Sequence, residues 1–313
     1  MPNTINNQTK IVFMGTPEFA VASLDALYTA GFNIVGVITA PDKPGGRGMQ
    51  LQQSAVKQFA VAKGLHILQP EKLKNPEFLA ELKALQADIQ VVVAFRMLPE
   101  LVWNMPPMGT INLHGSLLPQ YRGAAPINWA VINGEKQTGA TTFKLQHQID
   151  TGNILLQESF AIGDNENMEQ IHDRMKDVGA NLIVKTIEGL VTNTITEQPQ
   201  PANDNGQLKH APKIFTETCT MDWANDCNSM YNFIRGLSPY PAAFCFLDQK
   251  KIKVFAATKE IAAHQHSKGT HFTDGKTFLK YACADGFIHI TDLQMEGKKR
   301  MKIEDFLRGY RFD

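Results

Sequence analysis

The chain has 313 residues, more than one average domain at about 100 to 200 residues each, and its 43% hydrophobic and 20% charged content is ordinary for a globular protein with a sizeable core. Lys+Arg and Asp+Glu both number 31, so the whole chain carries no polyanion-binding signature; from Lys213 to Asp313, 15 cations against 12 acids give a mild basic tilt that permits a nucleic-acid contact without demanding one. Four cysteines without C-x-x-C spacing or a zinc-offset His predict neither a metal knuckle nor a disulfide framework, and no 18-residue apolar run or leader-like start points to a membrane or to export, so a reduced, cytoplasmic protein is expected.

Lys10 to Met14 is a short apolar run ending at Gly15. Thr16 and Pro17 then suit the N-cap and first position of a helix through Ala30. Ile34–Thr39 is expected to be a buried strand, Leu51–Lys63 a helix, His66–Leu68 a strand, Glu77–Leu85 a helix and Ile89–Ala94 a strand, with Thr110–His114 next. Strands alternating with helices predict right-handed crossovers and a mostly parallel sheet. The first turn lacks the three spaced glycines of a dinucleotide fingerprint, and Asp42, although placed like a ribose-binding acid, reads as a loop residue. Ala140–Leu145 and Ile154–Phe160 are strand-like, and Asp164–Leu190 is a helix with Ile171, Met175, Val178, Leu182 and Ile183 on one stripe. Thr192–Pro212, rich in Asn, Gln, Thr and Pro, reads as a linker. Beyond it, Asp222 is expected to cap a short helix ending at Gly236, followed by short strands near Ala243–Leu247, Lys251–Ala257, Thr277–Ala282 and Gly286–Leu293 that suggest a small β-barrel.

The chemistry concentrates between Thr110 and Gly123 and again at Asp150-Thr151-Gly152. Asn112 and His114 stand two apart in a strand, so both side chains project from one face, and Gly115 and Pro119 end regular pairing just beyond them. A donor amide beside an imidazole at a strand end suits acyl transfer, with Asp150 as the carboxylate that reaches His114 from a neighbouring loop. A hydrogen-bonded structural histidine is the plainer alternative. Ser116 is no nucleophile elbow, because Gly-Ser-Leu-Leu-Pro lacks the required Gly-x-Ser-x-Gly turn, and His147 reads as an exposed loop residue.

Val12-Phe13-Met14-Gly15-Thr16-Pro17-Glu18-Phe19-Ala20, Gly46-Arg47-Gly48, the run from Asn112 to Ile127 and Asp150-Thr151-Gly152 resemble the methionyl-tRNA formyltransferase family, as do Arg235 to Ala243 and Gly297-Lys298-Lys299 further along. The resemblance spans nearly the whole chain. It implies an α/β, Rossmann-like N-terminal formyltransferase domain over 1–195, a linker over 196–212 and an OB-like C-terminal β-barrel over 213–313 that helps hold tRNA. It implies 10-formyltetrahydrofolate as formyl donor, initiator methionyl-tRNA as acceptor, no metal, no membrane partner and a monomer. Asn112, His114 and Asp150 match the family's catalytic trio, and Ser116, Leu117, Leu118 and Pro119 its folate contacts. Arg47 and Lys43 fall in the loop that reaches toward the tRNA acceptor end, and Lys213 at a basic linker exit. Ala94-Phe95-Arg96-Met97-Leu98-Pro99 departs from the usual Tyr-Gly pair beside the pterin pocket, and the second Lys often found after Lys213 is missing. The alternative acceptors for the same chemistry are a sugar-nucleotide amine or water.

Overall fold

A computed structural model describes residues 8–45, 50–201 and 208–311, which form two compact units. The first runs to Arg122 and takes back Gly139–Ser159 and Asp173–Lys209; the second holds Gly123–Thr138, Phe160–His172 and the chain from His210 onward.

Strands β1 (Lys10–Gly15), β2 (Asn33–Ile38), β5 (Ile67–Leu68), β6 (Ile89–Val93), β7 (Thr110–His114), β9 (Gln137–Lys144) and β10 (Ile154–Ala161) form one sheet in the order β10-β9-β7-β6-β1-β2-β5, which belongs to the first unit except for 137–138 and 160–161. The pairs β1–β2, β1–β6, β2–β5 and β6–β7 are parallel, and β7–β9 is antiparallel. Parallel strands covered on both faces read as continuous apolar runs rather than alternation. Accordingly Ile11, Val12, Phe13 and Met14 are all fully buried. Strand order reverses at β1, with β2 on one side and β6 on the other, which opens a crevice at the carboxyl edge of the sheet. Register pairs Gly15 with Val93 and Val93 with Leu113, so His114 emerges at that edge.

The helix expected from Thr16 begins later. It is α1 (Glu18–Thr29), with Pro17 at the N-cap, whose side chain has no acceptor to cap with, while the Thr16 carbonyl accepts from the Val56 N–H. Leu51 lies in a short strand β4 (Gln50–Gln52) paired with β3 (Lys43–Gly45), and Ser54, whose hydroxyl accepts from the Lys57 N–H at 3.0 Å, starts α2 (Ala55–Ala62). A cap residue sets the helix start more firmly than the apolar pattern before it. Asp42 is a loop residue that accepts from Lys57 and Gln69. The long helix α6 spans Met168–Val191, not Asp164 onward; Gly179 lets it approach β7, since a Cβ there would sit 2.6 Å from Leu113.

In the second unit, Asp226 rather than Asp222 caps α7 (Cys227–Leu237), accepting from the Ser229 N–H at 2.8 Å; Asp222 closes the preceding turn on the Ala224 N–H. The helix runs through Gly236 because that glycine answers packing, not termination. A Cβ there would lie 2.9 Å from the Ile132 nitrogen in α5 (Pro126–Ile132), and the Gly236 carbonyl accepts from Asn128 at 2.8 Å. Strands β12 (Ala243–Leu247), β13 (Lys250–Ile261), β14 (His271–Thr273), β15 (Leu279–Ala282) and β16 (Gly286–Met295) form a curled antiparallel half-barrel, ordered β12-β13-β16-β15-β14, with β17 (Met301–Lys302) on β16. Its apolar filling includes Leu247, Ile252, Val254, Leu279, Tyr281 and Ile288.

Candidate active site

β7 delivers Asn112 and His114 to the carboxyl edge, held between Val92 of β6 and Phe143 of β9 at Asn112 and against Thr141 of β9 at His114. Asn112 is half-buried and His114 is 6% exposed. The His114 Nε2 lies 2.8 Å from the Tyr121 carbonyl. A carbonyl only accepts, so Nε2 carries the proton and the neutral ring presents a bare Nδ1. That Nδ1 faces the Asp150 carboxylate at 3.9 Å, close enough for an ion pair when the ring is protonated and too far for a direct hydrogen bond. β7 and the β9–β10 loop therefore bring His114 and Asp150 together as expected, with Asn112 two residues before His114 on the same strand.

Asp150 itself has φ +55°, a left-handed conformation that aspartate adopts more readily than most residues but less readily than glycine. Gly152, two residues on, lies so near β9 that a Cβ would stand 1.6 Å from the Lys144 carbonyl oxygen.

Ser116 to Pro119 form the loop after β7, cross-braced by two residues that motif reading missed. Thr141 donates to the Ser116 carbonyl at 2.6 Å and accepts from the Leu118 N–H at 3.1 Å, while Gln157 donates to the Leu118 carbonyl and to the Thr141 hydroxyl, both at 2.9 Å. Ser116 donates to the Gln120 carbonyl at 2.6 Å, which occupies the hydroxyl hydrogen that a nucleophile would surrender to a base. Their signal in the sequence was only strand alternation in β9 and β10. The segment after β6 lines, with Leu73 and Lys74, a cavity of about 530 Å³, in the size range of small-molecule sites. Arg96 donates there to the carbonyls of Pro70 and Glu71.

Lys43 is exposed in β3, and Arg47 lies outside the described residues. Lys213, in the second unit, is exposed and sits 5.3 Å from the centre of the Phe215 ring. His147 is exposed and pairs with Glu100 at 3.4 Å. Spacing also concealed a buried grouping in the second unit, where the thiols of Cys227 and Cys283 stand 2.9 Å apart near Asp285. The Asp285 carboxylate accepts the Cys227 N–H at 2.8 Å, and burial pushes the Cys227 thiol far above its ordinary range, so it is no ready thiolate ligand.

Glu197 accepts from Lys144 and from Asn153, the latter at 3.0 Å. Lys144, then the Asn153 amide, hold its carboxyl below the ordinary value of 4.5. A carboxyl depressed in the fold contributes stability above its unfolded value and loses it as pH falls through the folded one. The difference in thermal midpoint between the unmodified protein and Glu197→Gln is therefore expected to be constant near neutrality and to shrink as pH falls below 4.5. A difference that grows on acidification contradicts this.

Residues 9–187 match the model of the formyl transferase domain, and residues 213–311 that of the formyl transferase C-terminal domain. The methionyl-tRNA formyltransferase of Parabacteroides distasonis is 54% identical over 310 residues, 96% of each chain, and that of Flavobacterium johnsoniae is 49% identical over 97% of this chain and 96% of its own. Among solved structures, WlaRD, a sugar 3N-formyl transferase determined with dTDP and 5-N-formyl-THF, superposes with a TM-score of 0.67 at 20% identity over 93% of this chain and 99% of that one. HypX from Aquifex aeolicus, in complex with tetrahydrofolic acid, gives 0.64 at 16% identity over 97% of this chain, which spans 48% of HypX. These two likenesses concern the fold.

Proposed function

Since the chain belongs to the methionyl-tRNA formyltransferase family, we propose that it moves the formyl group of 10-formyltetrahydrofolate onto the α-amine of methionine carried by initiator tRNA, giving N-formylmethionyl-tRNA for translation initiation. The observation that carries the reading is the 3.9 Å approach of His114 Nδ1 to Asp150 beside Asn112 at one strand end, in a chain about half identical, over nearly its full length, to enzymes named for this transfer.

The uncharged amine attacks the formyl carbon, and the carbonyl oxygen becomes an oxyanion. The Asn112 carboxamide donates a hydrogen bond to that oxygen. His114, anchored through Nε2–H on the Tyr121 carbonyl, acts through Nδ1. Protonated there, it stabilises the same oxyanion and passes its proton to the departing folate nitrogen. Asp150, whose carboxylate lies 3.9 Å from Nδ1, orients the ring by charge and receives the amine proton through water. Nothing covalent forms on the protein, because an amine is already a nucleophile.

We assign folate binding to Ser116, Leu117, Leu118 and Pro119, whose bracing by Thr141 and Gln157 fixes the backbone that meets the ligand. Arg47, Lys43 and Lys213 are assigned to phosphate contacts with tRNA, which position rather than specify. Catalysis is assigned to residues 1–195 and the tRNA grip to 213–313, joined through 196–212, in a cytoplasmic monomer without a metal. Among the described residues no helix is long and apolar enough to cross a membrane.

The test is transfer of labelled formyl from 10-formyltetrahydrofolate to charged initiator tRNA, beside uncharged tRNA, a sugar-nucleotide amine and water. Selective formylation of the charged tRNA is expected. Release of formate without an acceptor, or turnover on the sugar amine alone, overturns the assignment.

A further inference from the structure

We infer that Gln200, in the polar stretch that the sequence marks as a linker, is a positioning residue for Asp150. The inference rests on the role given to Asp150 above. Its amide nitrogen donates to the Asp150 carbonyl at 3.0 Å and to the Gly152 carbonyl at 2.8 Å, while its oxygen accepts from Arg122 Nε at 3.1 Å and Nη2 at 2.6 Å. One side chain thus ties the loop of the carboxylate to the segment just after Tyr121, whose carbonyl anchors His114.

The neighbours of Gln200 reinforce the tie. Gln198 exchanges both backbone hydrogen bonds with Ile154, at 2.8 and 2.9 Å, and Glu197 binds Asn153 and Lys144. Residues 197–200 therefore run back along 150–154 as a strap. The left-handed φ of +55° at Asp150 still costs more than the right-handed alternative, so the two bonds from Gln200 to this loop favour the form in which the carboxylate faces His114. The chemistry of the position also singles out an amide. Two carbonyls must receive N–H groups on one side and a guanidinium must find an oxygen on the other, and of the side chains of this length only glutamine supplies both.

Gln200→Glu separates these functions, since the carboxylate keeps an acceptor for Arg122 and loses both donors to the loop. Gln200→Leu loses all four bonds. Both variants are expected to lower kcat on the order of 10²-fold, the usual penalty for a displacement of about 1 Å in a reacting group. KM for tRNA and folate should stay within about twofold, and hydrogen exchange at 150–154 should accelerate in both. A Gln200→Glu protein with unchanged kcat, or one whose loss lies in KM alone, overturns the inference, as does a loss of kcat without faster exchange at 150–154. Asp150→Asn serves as reference: if it retains full activity, Asp150 needs no positioning and the inference falls. Absence of formylmethionyl-tRNA with the unmodified protein instead sinks the functional reading, so the two failures are distinguishable.

Discussion

Asn112→Ala is expected to lower kcat for formyl transfer by roughly 10²- to 10³-fold, equivalent to about 3 to 4 kcal/mol of barrier, while the folded protein remains intact. The magnitude follows from where the charge develops. A donor aimed at an oxyanion is worth more in the transition state than in the ground state, so its removal should appear in kcat and in kcat/KM alike, with KM little changed. Stability should move little, because Asn112 is half-buried and its strand is held by backbone pairing to Val92 and Phe143, which alanine preserves. Single-turnover formylation at saturating tRNA separates the chemical step from binding. A variant that formylates at the unmodified rate would defeat the assignment of Asn112 as oxyanion donor.

Gly152→Ala is expected to cost more than its single methyl suggests, with kcat falling roughly 10²-fold and stability by about 1 to 3 kcal/mol. The added Cβ would lie 1.6 Å from the Lys144 carbonyl oxygen and 3.1 Å from the Phe143 ring, and a backbone atom cannot swing aside as a side-chain tip can. The loop must lift from β9, weakening the bond from the Lys144 N–H to the Asn153 carbonyl and carrying Asp150 with it. Denaturant unfolding and kcat measured on one preparation test both halves. Gly269, where a Cβ would meet the Trp223 ring at 3.0 Å in the second unit, provides a comparison: Gly269→Ala should affect stability and spare kcat. Full activity and stability in Gly152→Ala would mean that the loop tolerates displacement, contrary to the tie from Gln200.

The strands were the most legible part of the fold. Lys10–Gly15 and Ile89–Val93 lie within a residue of the apolar runs that predict them, because buried parallel strands are largely apolar, and Thr110–His114 matches the strand read from its alternation. Helix ends were less legible. Thr16 and Asp222 have the right chemistry for a cap, yet Pro17 and Asp226 occupy the position, since several acceptable caps lie within a few residues and tertiary contacts choose among them. Gly236 misled for a related reason: glycine at a helix end and glycine under a crossing helix look alike in one dimension.

By itself the sequence determined the chemical inventory, with an amide and an imidazole two apart on one strand face, a carboxylate before Thr-Gly, and a motif run long enough to suggest formyl transfer. Those signals are local, and alternation along a strand is enough to read them. Only the tertiary structure decided that Asp150 comes within 3.9 Å of His114, that Tyr121 fixes the ring's tautomer, and that Gln200 reaches back over 50 residues to Asp150 and 78 to Arg122. A polar stretch rich in Asn, Gln and Pro carries no periodicity, so its composition says linker whether or not one of its amides is used. What made Gln200 part of the site was the pairing of 197–200 with the loop of Asp150, a contact whose specificity lies in geometry between distant segments and leaves no mark in either one alone.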